Sequence, residues 1–148
     1  MDRIAFRGRL AFCSNLYPKS MFLDGLFFRT REHAFHWGKF ADWKIKELIR
    51  VQEYAVQAKH EAERHKQYVR PDWYTGYSIE WMKRVVLEFF KQHEPFRVKL
   101  LGTGDEHLEE RNNWGDMFWG TVDGKGRNEL GKILMEVREE LRLLTSPH

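Results

Sequence analysis

Asp24-Gly25 stands between two short apolar runs, Met21-Phe22-Leu23 and Leu26-Phe27-Phe28. A type I′ turn needs positive φ at both central residues, so Asp-Gly in this setting predicts a tight antiparallel hairpin. The hairpin leads straight into Thr30-Arg31-Glu32-His33-Ala34-Phe35-His36-Trp37-Gly38-Lys39. That stretch reads as the start of a helix. The Thr30 hydroxyl can accept a hydrogen bond from an orphan backbone N–H as N-cap. Glu32 then falls in the first turn, where the positive helix end favours a carboxylate. Glu32 is thereby placed at a strand-to-helix junction, a rigid position that tends to face a cleft.

At about 100° per residue, Lys39 lies only about 20° from Glu32 around the axis and about 10 Å along it. Phe35 and His36 flank the same line. The gap is too wide for a direct ion pair and suits a small ligand lying between acid and base. The plainer reading is an amphipathic helix with solvated charges, and this stretch alone does not decide between them.

The remaining periodicity is mostly helical. Residues 4–12 alternate loosely and suggest a short strand, and Ser14-Asn15-Leu16-Tyr17-Pro18 is turn chemistry. The opening helix is expected to run to about Trp43. Ile45, Leu48 and Ile49 mark a second helical segment, and Ala55, Ala58 and Ala62 a third. The charges of the third segment, Lys59, Glu61, Glu63, Arg64 and Lys66, read as a solvated face. After a break at Arg70-Pro71-Asp72-Trp73, a fourth helix is expected over about 78–92, with Met82, Val85, Val86, Phe89 and Phe90 turned to the core. Pro95 fits the first position of a short helix ending near Gly102. The last helix carries the stripe Leu130, Ile133, Leu134, Val137, Leu141 and Leu144.

Between these helices, 112–126 is glycine-rich yet carries Trp114, Phe118 and Trp119 beside Asp116. Such aromatics either anchor the loop to the core or wall a pocket that backbone N–H groups can approach. The expected fold class is α+β: a predominantly helical single domain over residues 1–148 with a small N-terminal hairpin or sheet.

Composition removes several function classes. With 42% apolar and 15% aromatic residues, including six Trp, the chain is no disordered segment. A net charge of +3 is too mild to argue for nucleic-acid binding, though a few local cations could hold a phosphorylated ligand. The single Cys13 cannot form an intrachain disulfide, which points to a reducing cytoplasm. No apolar run approaches a membrane span and no signal-peptide core follows Asp2 and Arg3, so a cytoplasmic protein without a membrane partner is expected.

Dinucleotide and phosphate-loop glycine motifs are missing, and the seven His show no zinc-protease spacing, so neither a cofactor nor a metal is expected. What remains is a carboxylate, a lysine and aromatic faces. A carboxylate can stabilise an oxocarbenium-like centre or activate water. A desolvated lysine can attack a sugar aldehyde to form a Schiff base. Tryptophan faces can stack on a heterocycle. Together these suggest cleavage of a bond between a ribose and a base.

The blocks Phe12-Cys13-Ser14-Asn15-Leu16-Tyr17-Pro18, Asp24-Gly25 and Thr30-x-Glu32-His33-x-Phe35-x-x-x-Lys39 resemble the opening of the YbiA-like proteins of the NADAR superfamily. Further matches follow in family order: Trp73, Met82, Leu101-x-Thr103-Gly104-Asp105, Asp116-x-Phe118-Trp119-Gly120, Gly124-x-Gly126-x-Asn128-x-Leu130-Gly131 and Leu134-Met135-x-x-Arg138. The resemblance implies an N-glycosidase acting on phosphoribosylamino-pyrimidine intermediates of riboflavin biosynthesis. Its relatives imply an alternative, removal of ADP-ribose from guanine bases, with ADP-ribosylated nucleic acid as a substrate.

Carried over by position, the resemblance makes Glu32 the acid/base or oxocarbenium-stabilising residue. Lys39 is the Schiff-base or ribose-contacting lysine, and Asp116 a second catalytic carboxylate. The implied substrate-binding set is Asn15, His33, Phe35, Trp73, Trp119, Gly120 and Asn128. Leu16 where relatives carry an aromatic, Phe89 in place of a common Lys, the extra Trp114-Gly115 and Thr121 after Trp119-Gly120 depart from the pattern and bear on substrate identity. A non-catalytic module binding ADP-ribose or a nucleotide in the same pocket is the competing reading from another class.

Overall fold

A computed structural model describes residues 6–145, which divide into two compact units: 15–89, and the described parts of 1–14 and 90–148. In the first unit, β1 (Met21–Leu23) and β2 (Leu26–Phe28) pair antiparallel with Met21 opposite Phe28 and Leu23 opposite Leu26. Asp24 and Gly25 have φ of 53° and 80°, the pair of positive values that the turn demands. Side chains alternate across the hairpin. Met21, Leu23 and Phe28 are buried, while Phe22 and Phe27 meet edge-on at 5.6 Å on the outer face.

Helix α1 (Arg31–Trp37) follows, and Thr30 caps it by accepting from the His33 N–H at 3.2 Å. Phe28 packs edge-on against Trp37 at 5.4 Å and joins the hairpin to this helix. The helix is shorter than its periodicity suggests, ending at Trp37 rather than near Trp43. The reason is local competition. Asp42 caps a new helix, α2 (Trp43–Arg50), by accepting from the N–H groups of Lys44 and Ile45. The connecting residues also turn outward: the Arg70 N–H donates to the Lys39 carbonyl at 2.9 Å, and Phe40 bridges Val69.

Helix α3 (Ala55–Arg64) buries Ala58 and Ala62, as the spacing predicts. A short 3-10 helix, Pro71–Thr75, then brings Trp73 inward, and α4 (Tyr77–Gln92) buries Trp81, Met82, Val85, Val86 and Phe89. Arg31 is fully buried, with its guanidinium 3.9 Å above the Phe89 ring.

In the second unit the expected N-terminal strand is corrected: Gly8–Cys13 is a 3-10 helix, while residues 4 and 5 lie outside the described residues. Loose alternation of a few residues without a neighbouring strand leaves the ladder bonds unmade, and local turns satisfy the backbone instead. Helix α5 (Glu94–Gly102) carries Pro95 in its first turn, and α6 (Glu129–Thr145) buries Leu130, Ile133, Leu134, Val137 and Leu141. Leu144, the end of the predicted stripe, is 67% exposed. Arg138 on α6 is buried and donates to Thr103 Oγ1 and the Glu106 carbonyl, tying the loop after α5 to that helix. Among the described residues no helix is long and apolar enough to cross a membrane.

Candidate active site

The Glu32 side chain is 17% exposed, and its Oε1 accepts from His36 Nε2 at 2.7 Å. The two are four residues apart on α1, so one helical turn sets the contact. His36 is buried, and its Nδ1 has no hydrogen-bond partner. Burial pushes the Glu32 carboxyl up, but His36, Lys39 and Lys59 together more than offset it and hold the group below the usual carboxylate range. The same burial pushes the His36 imidazole down further than Glu32 raises it. At neutral pH this is a carboxylate held by a neutral imidazole.

Lys39 lies just beyond the end of α1. Its ammonium is 5.4 Å from the Phe35 ring centre and 5.9 Å from that of Trp73. Among the described residues it makes neither an ion pair nor a side-chain hydrogen bond. Burial lowers its pKa, against which Glu32 and Glu63 pull upward, and Lys59 lowers it further; the net direction is down. Trp73 packs on Phe35 at 5.2 Å, a contact set by the Lys39–Arg70 backbone bond that holds the start of the Pro71–Thr75 turn beside α1. Glu32 bonded to His36, the Phe35 ring against both His36 and Trp73, and Lys39 beside Phe35 and Trp73 therefore form one cluster, in which the acid and the amine are not bonded to each other.

Asn15 belongs to the same unit, and its backbone carbonyl accepts from the Glu32 N–H at 3.2 Å. Its side-chain Nδ2 faces Met82 Sδ at 3.2 Å, and its buried Oδ1 has no hydrogen-bond partner. His33 is placed differently. It is fully buried, with Nε2 at 2.8 Å from the Gln52 carbonyl and Nδ1 at 2.8 Å from Thr30 Oγ1. Nε2 donates, so Nδ1 accepts from the hydroxyl, and both ring nitrogens are committed to the protein. The ring ties the α1 start to the end of α2.

Asp116, Trp119, Gly120 and Asn128 lie in the second unit. Asp116 Oδ1 accepts from the N–H groups of Phe118 and Trp119 and closes a turn around its own loop. Trp119 packs edge-on against Phe118 at 4.8 Å. The Gly120 position is crowded: a Cβ there would fall 2.1 Å from the Glu110 carbonyl oxygen. Asn128 accepts from the Glu110 N–H and donates to the Leu108 carbonyl, pinning the loop to the start of α6.

Two residues beside Glu32 were not among the sequence-derived candidates for catalysis or binding. His36 has a visible signal in its spacing from Glu32. Lys59 has none, because nothing in α3 marks which of its charges acts on Glu32. Among the described residues no group of three or more His, Cys, Asp or Glu side chains converges to hold a metal.

The NADAR domain family matches residues 7–142. The chain belongs to that family. It is 36% identical over 132 residues to the N-glycosidase YbiA of Escherichia coli, covering 88% of this chain and 81% of that protein. It is 42% identical over 132 residues to a riboflavin biosynthesis protein of Vibrio vulnificus, of which it spans only 35% of the length. The solution NMR structure of E. coli YbiA superposes with a TM-score of 0.85 at 31% identity, covering 97% of this chain and 88% of that one.

Proposed function

We propose that this protein is an N-glycosidase that hydrolyses the bond between a phosphorylated ribose and an amino-pyrimidine-like base, of the kind formed in early riboflavin biosynthesis. The observation that carries the reading is the Glu32 carboxylate bonded to His36 on the same helix that leads to Lys39, whose ammonium lies beside the Phe35 and Trp73 rings and makes no ion pair with it. The names of the relatives, N-glycosidase and riboflavin biosynthesis protein, support the reaction type and the substrate class respectively.

In this reading the base leaves with the bonding electron pair, and positive charge develops at the anomeric carbon. Glu32 stabilises that charge and takes a proton from the attacking water. The departing nitrogen gains a proton, so the products are ribose 5-phosphate and the free amine. Trp73 and Phe35 offer faces to the heterocycle. Lys39 contacts the ribose, and Lys59, exposed on α3, meets the phosphate. Asn15 Oδ1 accepts from a sugar hydroxyl.

The burial of Lys39 supports a second route, in which its neutral amine attacks the anomeric carbon and the base departs with the bonding electron pair, taking up the proton that the amine loses. Cleavage of the bond from that carbon to the ring oxygen opens the sugar to a Schiff base, which water then hydrolyses. Borohydride decides between them: a sugar trapped on the wild type and absent in Lys39→Ala establishes the Schiff base. The test of function is a panel of phosphoribosyl and ADP-ribosyl N-glycosides assayed for sugar release, run beside Glu32→Gln. Release of ribose 5-phosphate by the wild type and its loss in the variant are expected. Release of ADP-ribose instead moves the substrate to ADP-ribosylated guanine. Tight ADP-ribose binding with no cleavage replaces the enzyme by a binding module.

A further inference from the structure

His36 Nε2 lies 2.7 Å from Glu32 Oε1 one turn along α1, and the imidazole is shut from water at 4% exposure. Its other nitrogen, Nδ1, is buried with no hydrogen-bond partner. A proton on Nδ1 would be a buried donor with nothing to receive it, an arrangement folded proteins avoid. The ring therefore carries its one proton on Nε2 and has one place to give it. We infer that His36 is a positioning residue for Glu32: its single N–H, committed to Oε1, fixes the carboxylate rotamer and leaves Oε2 as the oxygen that faces the sugar.

The neighbouring charges are consistent with that division of labour. Lys39, from the turn after α1, and Lys59, from α3, both act on Glu32 and on His36, and Glu63 of α3 acts on Lys39. His33, on the same helix, has both nitrogens occupied elsewhere. The two lysines favour the anion but are not bonded to it, so they cannot orient it. Only the imidazole is within hydrogen-bond distance of the carboxylate among the described residues. The role also explains why an apolar-buried histidine is kept neutral here: as a cation it would have to shelter a second, unmatched N–H.

A Gln side chain can offer an N–H at nearly the same distance along the side chain, whereas Met fills the volume without a donor. The test compares His36→Gln with His36→Met in the full chain. Where the glycosidase reading holds, the acid limb of the kcat/KM profile reports Glu32 in the free enzyme. Met at position 36 is expected to move that limb up by about one pH unit, about tenfold in acid-side activity, while Gln leaves it within a few tenths. A uniform loss of rate in the Met variant with an unmoved limb would mean a merely structural histidine and overturns the proposal.

This kinetic arm rests on the proposed function; two NMR readouts do not. The 13C titration of the Glu32 carboxyl should shift upward in the Met variant and not in the Gln variant, whether or not any glycoside is turned over. In the wild-type protein, 15N shifts of His36 should report the neutral ring protonated on Nε2 at pH 7 to 8, in a measurement that requires no variant to fold. A cationic ring or a proton on Nδ1 in that range overturns the inference. Lack of turnover with the expected shifts would instead reject the glycosidase reading alone.

Discussion

The indole of Trp81 occupies the space that a side chain on Gly38 would need: a Cβ built there would fall 2.1 Å from Trp81 Nε1. The same N–H donates to the Ala34 carbonyl at 2.9 Å, and the ring stacks on Trp37 at 5.8 Å. Gly38 is thus required by close approach, since its φ of −69° is open to any residue. Gly38→Ala must push the indole away and is expected to cost about 1–3 kcal/mol. Thermal unfolding should show the midpoint lowered by about 3–10 °C. Because Lys39 follows directly, turnover should fall as well.

Glu32→Gln keeps the size of the side chain and removes its charge. Loss of turnover by at least about a hundredfold is expected, with an unchanged circular dichroism spectrum. Near-normal sugar release by this variant would remove Glu32 from the chemistry.

Asp116 allows a sharper separation of roles. Its Oδ1 accepts two backbone N–H bonds within its loop, and Asn can supply the same acceptor. Asp116→Ala should lower stability by about 1 kcal/mol through loss of the turn. Asp116→Asn should preserve that stability. Measured beside it, activity then reports on the charge: retained activity in Asn makes the residue a loop closure, and lost activity makes it a working carboxylate.

Lys46 gives a pH signature in stability. Its ammonium lies 3.6 Å above the Trp37 ring and donates to the Trp37 carbonyl. Burial, with a smaller contribution from Arg70, pulls its pKa from the ordinary 10.5 down to about 8. Below pH 8 the group is protonated folded and unfolded, and the fold bears the cost of burying the charge. Between about 8 and 10.5 the unfolded chain binds more protons, so that cost is relieved and stability rises with pH. Urea unfolding at pH 7.5 and 10, with Lys46→Met as reference, should show the wild type gaining about 1–3 kcal/mol on the variant. An equal difference at both pH values would contradict this.

Lys39 predicts a conflict between stability and activity. A half-buried ammonium without an ion pair costs the fold something, and Met would fill its place between Phe35 and Trp73. Lys39→Met should unfold at a temperature equal to or above that of the wild type while losing turnover. A destabilised variant would mean the aromatic contacts of the ammonium outweigh its desolvation.

Much of the candidate site was legible one residue type at a time. Thr30 as cap, Asp24-Gly25 as turn and Glu32 at the helix start are local chemistry, decided by neighbours within four residues. The Glu32–His36 contact is equally local, being one helical turn. The end of α1 was not legible, because periodicity continues to Trp43 while the chain leaves the helix at Gly38 to let Trp81 in and to bond Arg70. Nor could spacing reveal that both nitrogens of His33 are spent on Thr30 and Gln52, or that Asn128 is consumed by the backbone of Leu108 and Glu110.

By itself the sequence determined the hairpin, the Thr30 cap and the helical stripes of α4 and α6, since each depends on short-range backbone preference and period, and it carried the family blocks in order. Only the tertiary structure decided that Trp73 meets Phe35, that Lys59 of α3 is near enough for its charge to act on Glu32, and that Lys39 is drawn out of water. Those facts depend on residues brought together from distant parts of the chain. Desolvation, which decides the direction in which His36 and Lys39 shift, is a property of everything packed around a group and has no expression in the residues beside it in sequence.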